Sequence, residues 1–496
     1  MPSGTLDRAE RRDVARWTRR IARRDRIPGG ALGLLRGGRA VYAEGFGYRD
    51  RDHRRPASPR TMFGLASITK SFTALAVLRL AEHGALSLDD PVRRHLPEFR
   101  PPGPGGGRRI ALRHLLSHSS GLPPLPSIYY TSARSFGDAP PYDPRVARRV
   151  GLDPDHPPID TYDGILAYLA SARYRLLAPP GAQFSYSNEG FGLLGAVIER
   201  ASGRSYESFV EEEILRPAGM ASSTFDTGIL YRRPEVTVLY SPDPRRPRAG
   251  LVPSERWWED TCLRAAGALR SNVEDMVRYL ELFLRGGRVG AERVVAAASV
   301  RAMLHPEVEI RPGVFYGLGV AVQPEYRGTL LGHHSGGLKG ISSEFAVLPR
   351  RGIAGIALTN AEQVDAGALA DGAVRRIAGW PMRPPFMPVP PKEAPPASLR
   401  EYAGWYGSGE GIWVRIRARR DRLIADFVGI EFTPRGVPLV PIGRDRFSVR
   451  VRGQESFVPF LRDRAGHLVA AHIGWRVVRR RTAAERRAAP RGRIVW

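Results

Sequence analysis

Residues 380–398, WPMRPPFMPVPPKEAPPAS, divide this 496-residue chain into two unequal parts. Proline holds φ at about −65° and carries no backbone N–H. Neither a helix nor an interior strand can therefore run through so dense a cluster. The segment reads as a semi-rigid, extended linker. It predicts a domain over 1–379, a small domain over 399–480 and a basic tail over 481–496.

Before the linker, two hydrophobic periods alternate. Val14, Trp17 and Ile21 recur at helical spacing within 5–25. Such a helix either lies on a membrane surface or packs its Trp/Ile stripe on a core, and its narrow apolar face favours packing. ALGLLRGG and AVYAEGFGYRD read as strands joined at a Gly-Gly turn. A strongly apolar helix is predicted over 69–84, with others over 161–172, 189–202, 205–216, 273–286 and 363–378. Ser271 or Asn272 caps the one at 273. GVFYGLGVAVQP, GTLLGHH, SSEFAVLPR and GIAGIALTN read as strands. Residues 123–160, rich in Pro, Tyr, Asp and Arg, show little periodicity and read either as a functional rim or as a disordered insertion. After the linker, runs such as GIWVRIRARRDRLIADFVG, RFSVRVRG and LVAAHIGW have the strand length and turn spacing of a small antiparallel barrel or sandwich.

The lone cysteine, Cys262, precludes a disulfide within the chain and a cysteine-based metal site. The formal charge of +26 leaves three readings open: an anionic-polymer partner, a membrane surface, or a general preference for arginine. The arginines are spread from end to end without an aromatic-interleaved patch, which favours the last and predicts no specific nucleic-acid partner. The N-terminus has no apolar core of a secretory signal, and no run reaches the roughly 18–20 apolar residues of a membrane span. A cytoplasmic protein is expected, unless translation starts upstream.

Lysine occurs only three times, at Lys70, Lys339 and Lys392. In SITK, Ser67 and Lys70 stand at i and i+3, on one face of a helix. A serine hydroxyl is a poor nucleophile until a base takes its proton. A lysine serves as that base only when burial lowers its pKa from about 10.4, and the apolar run SFTALAVL supplies burial. The competing reading makes Ser67 an N-cap and Lys70 a surface residue. Two further motifs bear on the choice. Tyr186-Ser187-Asn188 precedes a helix and puts a phenol and an amide on one side of a turn, unless it is simply a polar cap. His334-Ser335-Gly336-Gly337 follows a strand, where glycines let a substrate backbone approach; the alternative is a hairpin turn with incidental histidines.

In this order, Ser-x-x-Lys, Tyr-x-Asn and His-Ser-Gly resemble the three motifs of the serine β-lactamase and penicillin-binding-protein superfamily. Tyr-x-Asn is similar to the class C and D-alanyl-D-alanine-carboxypeptidase branch. LRHLLSHSSGLP, GMASSTFD, AAGALRSNVEDM and YGLGVAV resemble that branch's secondary signatures. The resemblance covers roughly residues 10–378. LREYAGWYGS resembles the lipocalin-like barrel appended to some members, more weakly.

The resemblance implies an α+β domain, an antiparallel sheet flanked by helices with a mainly helical lobe, followed by a small antiparallel β-barrel. It implies Ser67 as nucleophile, Lys70 and Tyr186 as its activators, and Asn188 as a guide for Lys70 and the substrate. His334 and Ser335 take the third-motif place, and the N–H groups of Ser67 and Gly337 form the oxyanion hole beside Gly336. The implied reaction is hydrolysis of a small ester, amide or short peptide, D-amino-acid bonds among them, without cofactor or metal. Oligomeric state is left open. True β-lactamases usually carry lysine where His334 stands, so efficient β-lactam hydrolysis is the alternative rather than the expectation. A second alternative is a non-catalytic binder of anionic polymers with a vestigial site. Tyr129, Tyr130 and Tyr142 are candidates for a substrate pocket. His114 and His118, at i and i+4, lack the H-E-x-x-H pattern of a zinc helix and are not assigned a metal. No Gly-x-Ser-x-Gly elbow of an α/β-hydrolase occurs.

Overall fold

The computed structural model describes residues 5–488 apart from 104, 106, 137–143, 243–249, 255–256, 258, 383–393, 395, 430–433, 452–453 and 464. The chain forms two compact units. The first comprises Met1–Asp90, Phe191–Glu307 and Gly313–Pro384, and the second Pro91–Gly190, Val308–Pro312 and Pro385–Trp496. Most of the proline-dense segment lies outside the described residues.

The first unit is built on an antiparallel sheet. Strands Val314–Tyr316, Ala321–Tyr326, Thr329–Leu338, Ile341–Leu348, Ile353–Thr359, Gly29–Arg36, Arg39–Asp50 and Arg55–Pro56 lie side by side in that order. The chain's first strand thus closes onto its last in this sheet, with Gly30 opposite Thr359. Gly37 and Gly38 both take positive φ at the first hairpin, which is why a Gly-Gly pair stands there. Every residue of Ile341–Leu348 and Ile353–Thr359 is buried, because helices cover both faces. On one face a Cβ at Gly33 would meet Val273 and Val277 of helix Val273–Leu284. On the other, a Cβ at Gly355 would meet Val374 of helix Ala366–Ile377. The N-terminal helix Arg8–Asp25 packs on that second helix. Val14 and Ile21 are buried, and the Trp17 indole N–H donates to the Ala368 carbonyl at 2.7 Å. Packing, not a membrane surface, accounts for the stripe. Asn272, rather than Ser271, caps helix Val273–Leu284, its side chain accepting from the Asp275 N–H at 2.9 Å.

The second unit holds short helices, among them Val92–His95, Leu112–Leu116 and Tyr162–Ser171, and a closed antiparallel barrel of eight strands. The strands run in chain order from Gly404–Gly407 to Arg476–Arg481, and the last pairs with the first through Trp405 and Arg481. Leu423–Gly429 alternates buried and half-buried residues, the period of a strand with one face inside. Tyr402, Phe447 and Phe460 fill the interior edge to face, with centroids 4.9–5.2 Å apart.

Of the two readings of 123–160, the disordered insertion does not describe the residues seen. Within 123–160 the chain forms helices Ser127–Thr131 and Pro144–Arg149, too short to leave a periodic signature. Leu125, Ala147, Val150 and Leu152 are buried, and the Trp413 indole donates to the Val150 carbonyl at 2.9 Å, so this segment packs against the barrel. The basic tail begins with a helix, Ala483–Ala488, opened by Thr482 and Glu485, which exchange backbone-to-side-chain hydrogen bonds; residues 489–496 lie outside the described residues. Among the described residues no helix is long and apolar enough to cross a membrane.

Candidate active site

Ser67 sits in a tight turn, Ala66–Ile68, that runs directly into helix Thr69–Glu82. Ala66 takes φ +47°, a left-handed conformation unusual for a residue with a Cβ. The surroundings hold it there. The Leu65 N–H donates to the Leu269 carbonyl at 2.9 Å, and Ser343 Oγ donates to the Leu65 carbonyl at 2.8 Å. Thr69 Oγ1 donates to the Ala66 carbonyl at 2.7 Å and accepts from the Leu269 N–H at 3.1 Å. From Thr61 to Leu78 every residue is buried except Ser67. The fold therefore presents one hydroxyl from an otherwise closed wall.

Lys70 is fully buried, and its Nζ lies 3.2 Å from Ser67 Oγ and 2.7 Å from the Ala266 carbonyl. That carbonyl can only accept, so it holds one N–H and aims the rest of the amine. The Phe191 ring stands 5.5 Å from Nζ. The capping alternative does not describe this turn: Ile68 occupies the N-cap, and Lys70 is not at the surface.

The third motif lies on strand Thr329–Leu338. Its pairing with Ala321–Tyr326 ends at His333, while Gly336 and Gly337 remain paired on the other edge with Ser343 and Ser342. Side chains alternate, so His334 and Gly336 are buried while Ser335 and Gly337 are exposed. A Cβ on Gly336 would lie 2.1 Å from the Leu65 carbonyl oxygen and 2.3 Å from Ser343 Oγ. Glycine is what lets this strand lie against the turn that carries Ser67. At Gly337 nothing lies within 4 Å of the same position.

His334 is turned inward. Its Nδ1 lies 2.6 Å from the Ser335 carbonyl and its Nε2 2.8 Å from the Tyr316 hydroxyl. The carbonyl must accept, so Nδ1 carries the proton and Nε2 accepts from Tyr316 in the neutral ring. Burial first, and the charge of Lys70 second, push its pKa down to about 3. This position offers no cation at neutral pH.

Ser67, Lys70 and the third motif belong to the first unit, Tyr186 and Asn188 to the second. Tyr186 is 2% exposed and Asn188 opens helix Asn188–Ser202. The segment after Leu112–Leu116 forms a bed for them. The His118 ring lies over Tyr186 with centroids 4.1 Å apart, and its Nδ1 accepts from the Ser187 N–H at 3.1 Å. His114 Nδ1 accepts from the Ala111 N–H at 3.0 Å. These histidines brace loops, and among the described residues no group of His, Cys, Asp and Glu is arranged to hold a metal.

Some neighbours of the second motif escaped sequence reasoning. Glu410 Oε1 accepts from Asn188 Nδ2 at 3.3 Å, and the Arg476 guanidinium stands 4.2 Å above the Tyr186 ring. They are 222 residues or more from the motif in sequence, with no local signal to link them. Tyr129 and Tyr130 do not line an open pocket. Both are buried, Tyr129 donating to the Glu410 carbonyl at 3.2 Å and Tyr130 stacking on His156 at 3.9 Å. Tyr142 lies outside the described residues.

Comparison with known proteins gives a consistent outcome. A family model described as Beta-lactamase matches residues 6–379. Penicillin-binding protein 4* of Bacillus subtilis is 26% identical over 444 residues, 86% of this chain and 89% of that protein. Esterase EstB of Burkholderia gladioli is 33% identical over 336 residues, 62% of this chain and 81% of that one. Among solved structures, the octameric penicillin-binding protein homologue from Pyrococcus abyssi superposes with a TM-score of 0.63 at 28% identity, covering 91% of this chain and 96% of that one.

Proposed function

The chain belongs to the Beta-lactamase family, within a superfamily of serine hydrolases, and on that premise we propose that it cleaves an ester or amide bond through an acyl-enzyme on Ser67. The observation that carries this reading is the placement of Lys70 Nζ, buried and 3.2 Å from the one partly exposed hydroxyl of its wall. In this reading the amine, with Tyr186, takes the Ser67 proton as Oγ attacks the carbonyl carbon. The oxyanion is met by the N–H groups of Ser67 and Gly337. The proton passes to the leaving group as the scissile bond breaks, and water then attacks the acyl carbon to free Ser67. Asn188 orients Lys70 and the substrate, and Ser335 faces the substrate from the third strand.

An ester, or an amide without a free carboxylate beside the scissile bond, D-amino-acid amides among them, fits the third motif better than a β-lactam drug. A drug's carboxylate needs a fixed cation there, whereas the His334 ring is buried and neutral. The test is a fluorophosphonate probe with a substrate panel of p-nitrophenyl esters, D-amino-acid amides, a D-Ala-D-Ala peptide and nitrocefin. The expected result is one adduct on Ser67, absent in Ser67→Ala, with ester or D-amide turnover exceeding nitrocefin turnover. No adduct on the folded protein would sink the enzyme reading and favour a binding protein. Fast nitrocefin turnover would overturn the substrate preference.

A further inference from the structure

Two turns of the barrel reach the second motif. One joins Gly404–Gly407 to Ile412–Ala418 and carries Glu410; the other joins Leu468–Ile473 to Arg476–Arg481 and carries Trp475, with Arg476 at its exit. The Arg476 guanidinium lies over the face of Tyr186, 4.2 Å from the centroid, and its Nε forms a salt bridge with Glu410 Oε2. The other oxygen of Glu410 accepts from the Asn188 amide at 3.3 Å. The Trp475 ring centroid lies 5.7 Å from that of Tyr186. The Glu410 turn is itself fixed, since the Gly409 N–H donates to the Pro124 carbonyl at 3.0 Å and a Cβ there would lie 2.4 Å from that oxygen. Burial works against the charge on Arg476, but Glu410 and then Tyr186 outweigh it and keep the guanidinium charged.

We infer that the barrel is part of the hydrolytic machinery, with Arg476 and Glu410 as positioning residues that hold Tyr186 and Asn188. One carboxylate ties the amide of Asn188 to the guanidinium, and the guanidinium caps the phenol. The planar fork of arginine is needed for both contacts at once, one in its plane and one on its face. A barrel kept merely for stability has no reason to set a salt bridge against both Tyr186 and Asn188. The consequence for turnover rests on the reading of Tyr186 as a base.

The experiment uses the full chain and the variants Arg476→Gln, Arg476→Lys and Glu410→Gln. With p-nitrophenyl butyrate, Arg476→Gln should lower kcat at least about tenfold while KM stays within about twofold, as expected when a reacting group is misplaced but binding is kept. Lysine should fail to restore kcat. Glu410→Gln, which keeps shape and removes the charge, should lower kcat in the same direction. A second readout does not depend on activity. In protein carrying 13Cζ-labelled tyrosine, the resonance lost in Tyr186→Phe should move in Arg476→Gln and in Glu410→Gln. An unmoved resonance overturns the inference whether or not the protein is an enzyme. So does a moved resonance with kcat unchanged. Wild-type protein that neither turns over ester nor labels at Ser67, yet shows the moved resonance, overturns the hydrolase reading and leaves the clamp.

Discussion

Adding a single methyl group at Gly336 tests how the turn carrying Ser67 is held. An alanine Cβ would stand 2.1 Å from the Leu65 carbonyl oxygen, 2.3 Å from Ser343 Oγ and 3.1 Å from Ala66 Cβ. A carbon and an oxygen not bonded to each other need more than 3 Å, so the strand or the turn must retreat by about 1 Å. The nearest atom is backbone, so no side-chain rotation relieves the clash. Overpacking of this kind costs about 1–3 kcal/mol. The larger effect falls on rate. Leu65 and Ala66 immediately precede Ser67, and Ala66 already sits at φ +47°. A displacement of about 1 Å at a reacting centre costs roughly 10²-fold. Gly336→Ala should therefore slow fluorophosphonate labelling of Ser67 about a hundredfold and lower Tm by several degrees. The control is Gly337→Ala, one residue on, whose methyl meets nothing within 4 Å and should leave Tm unchanged or slightly raised. Full labelling rate and unchanged Tm in Gly336→Ala would refute the idea that this strand braces the turn.

Lys70→Ala and Tyr186→Phe should each lower kcat for a p-nitrophenyl ester at least about a hundredfold, the usual worth of a general base, and full activity in Tyr186→Phe would show its role to be misassigned. Ser67→Ala should abolish turnover while Tm stays close to wild type, because the side chain is the one partly exposed group in its segment. His334 gives a pH prediction. An unfolded histidine takes up a proton below about 6.5, whereas the native ring resists until about 3, so the native state loses stability relative to the unfolded as pH falls from 6.5 towards 3. The slope approaches about 1.4 kcal/mol per pH unit, and His334→Gln, which can keep both hydrogen bonds, should remove it. The comparison is made as a difference between wild type and variant, measured by denaturant unfolding at each pH. Glu189 and Asp371, raised to about 7 mainly by burial, work in the opposite direction and cancel in that difference. An identical pH dependence in the two proteins would refute the buried, neutral ring.

Legibility in the sequence followed the range of the contact. Ser67 and Lys70 meet because they are three residues apart on a helical path, and the turn at Gly37-Gly38 is visible because both glycines need positive φ. The helices with a covered stripe, such as Arg8–Asp25 and Val273–Leu284, could be read to within a few residues at their ends. The direction of His334 could not. His333 and His334 are adjacent on a strand covered on both faces, so one of them points each way and both are buried. Only the register through Ala321–Tyr326, where Ala321 pairs with Tyr316 on one side and His333 on the other, decides which one meets Tyr316. The helices within 123–160 were not legible for a related reason. Helices of five and six residues carry no period and are stable only through burial of Leu125, Val150 and Leu152. Arg476 and Glu410 lie furthest from what a motif can report. Their salt bridge joins two turns of one barrel, and neither turn is marked as anything but a hairpin connection. In this chain the three motifs are written locally, while the groups that hold them in place come from strands that meet only in the fold. Substitutions outside the three motifs should therefore divide sharply. Those on the Gly336 and Glu410–Arg476 contacts should cost rate, and those elsewhere on the barrel wall should cost only stability.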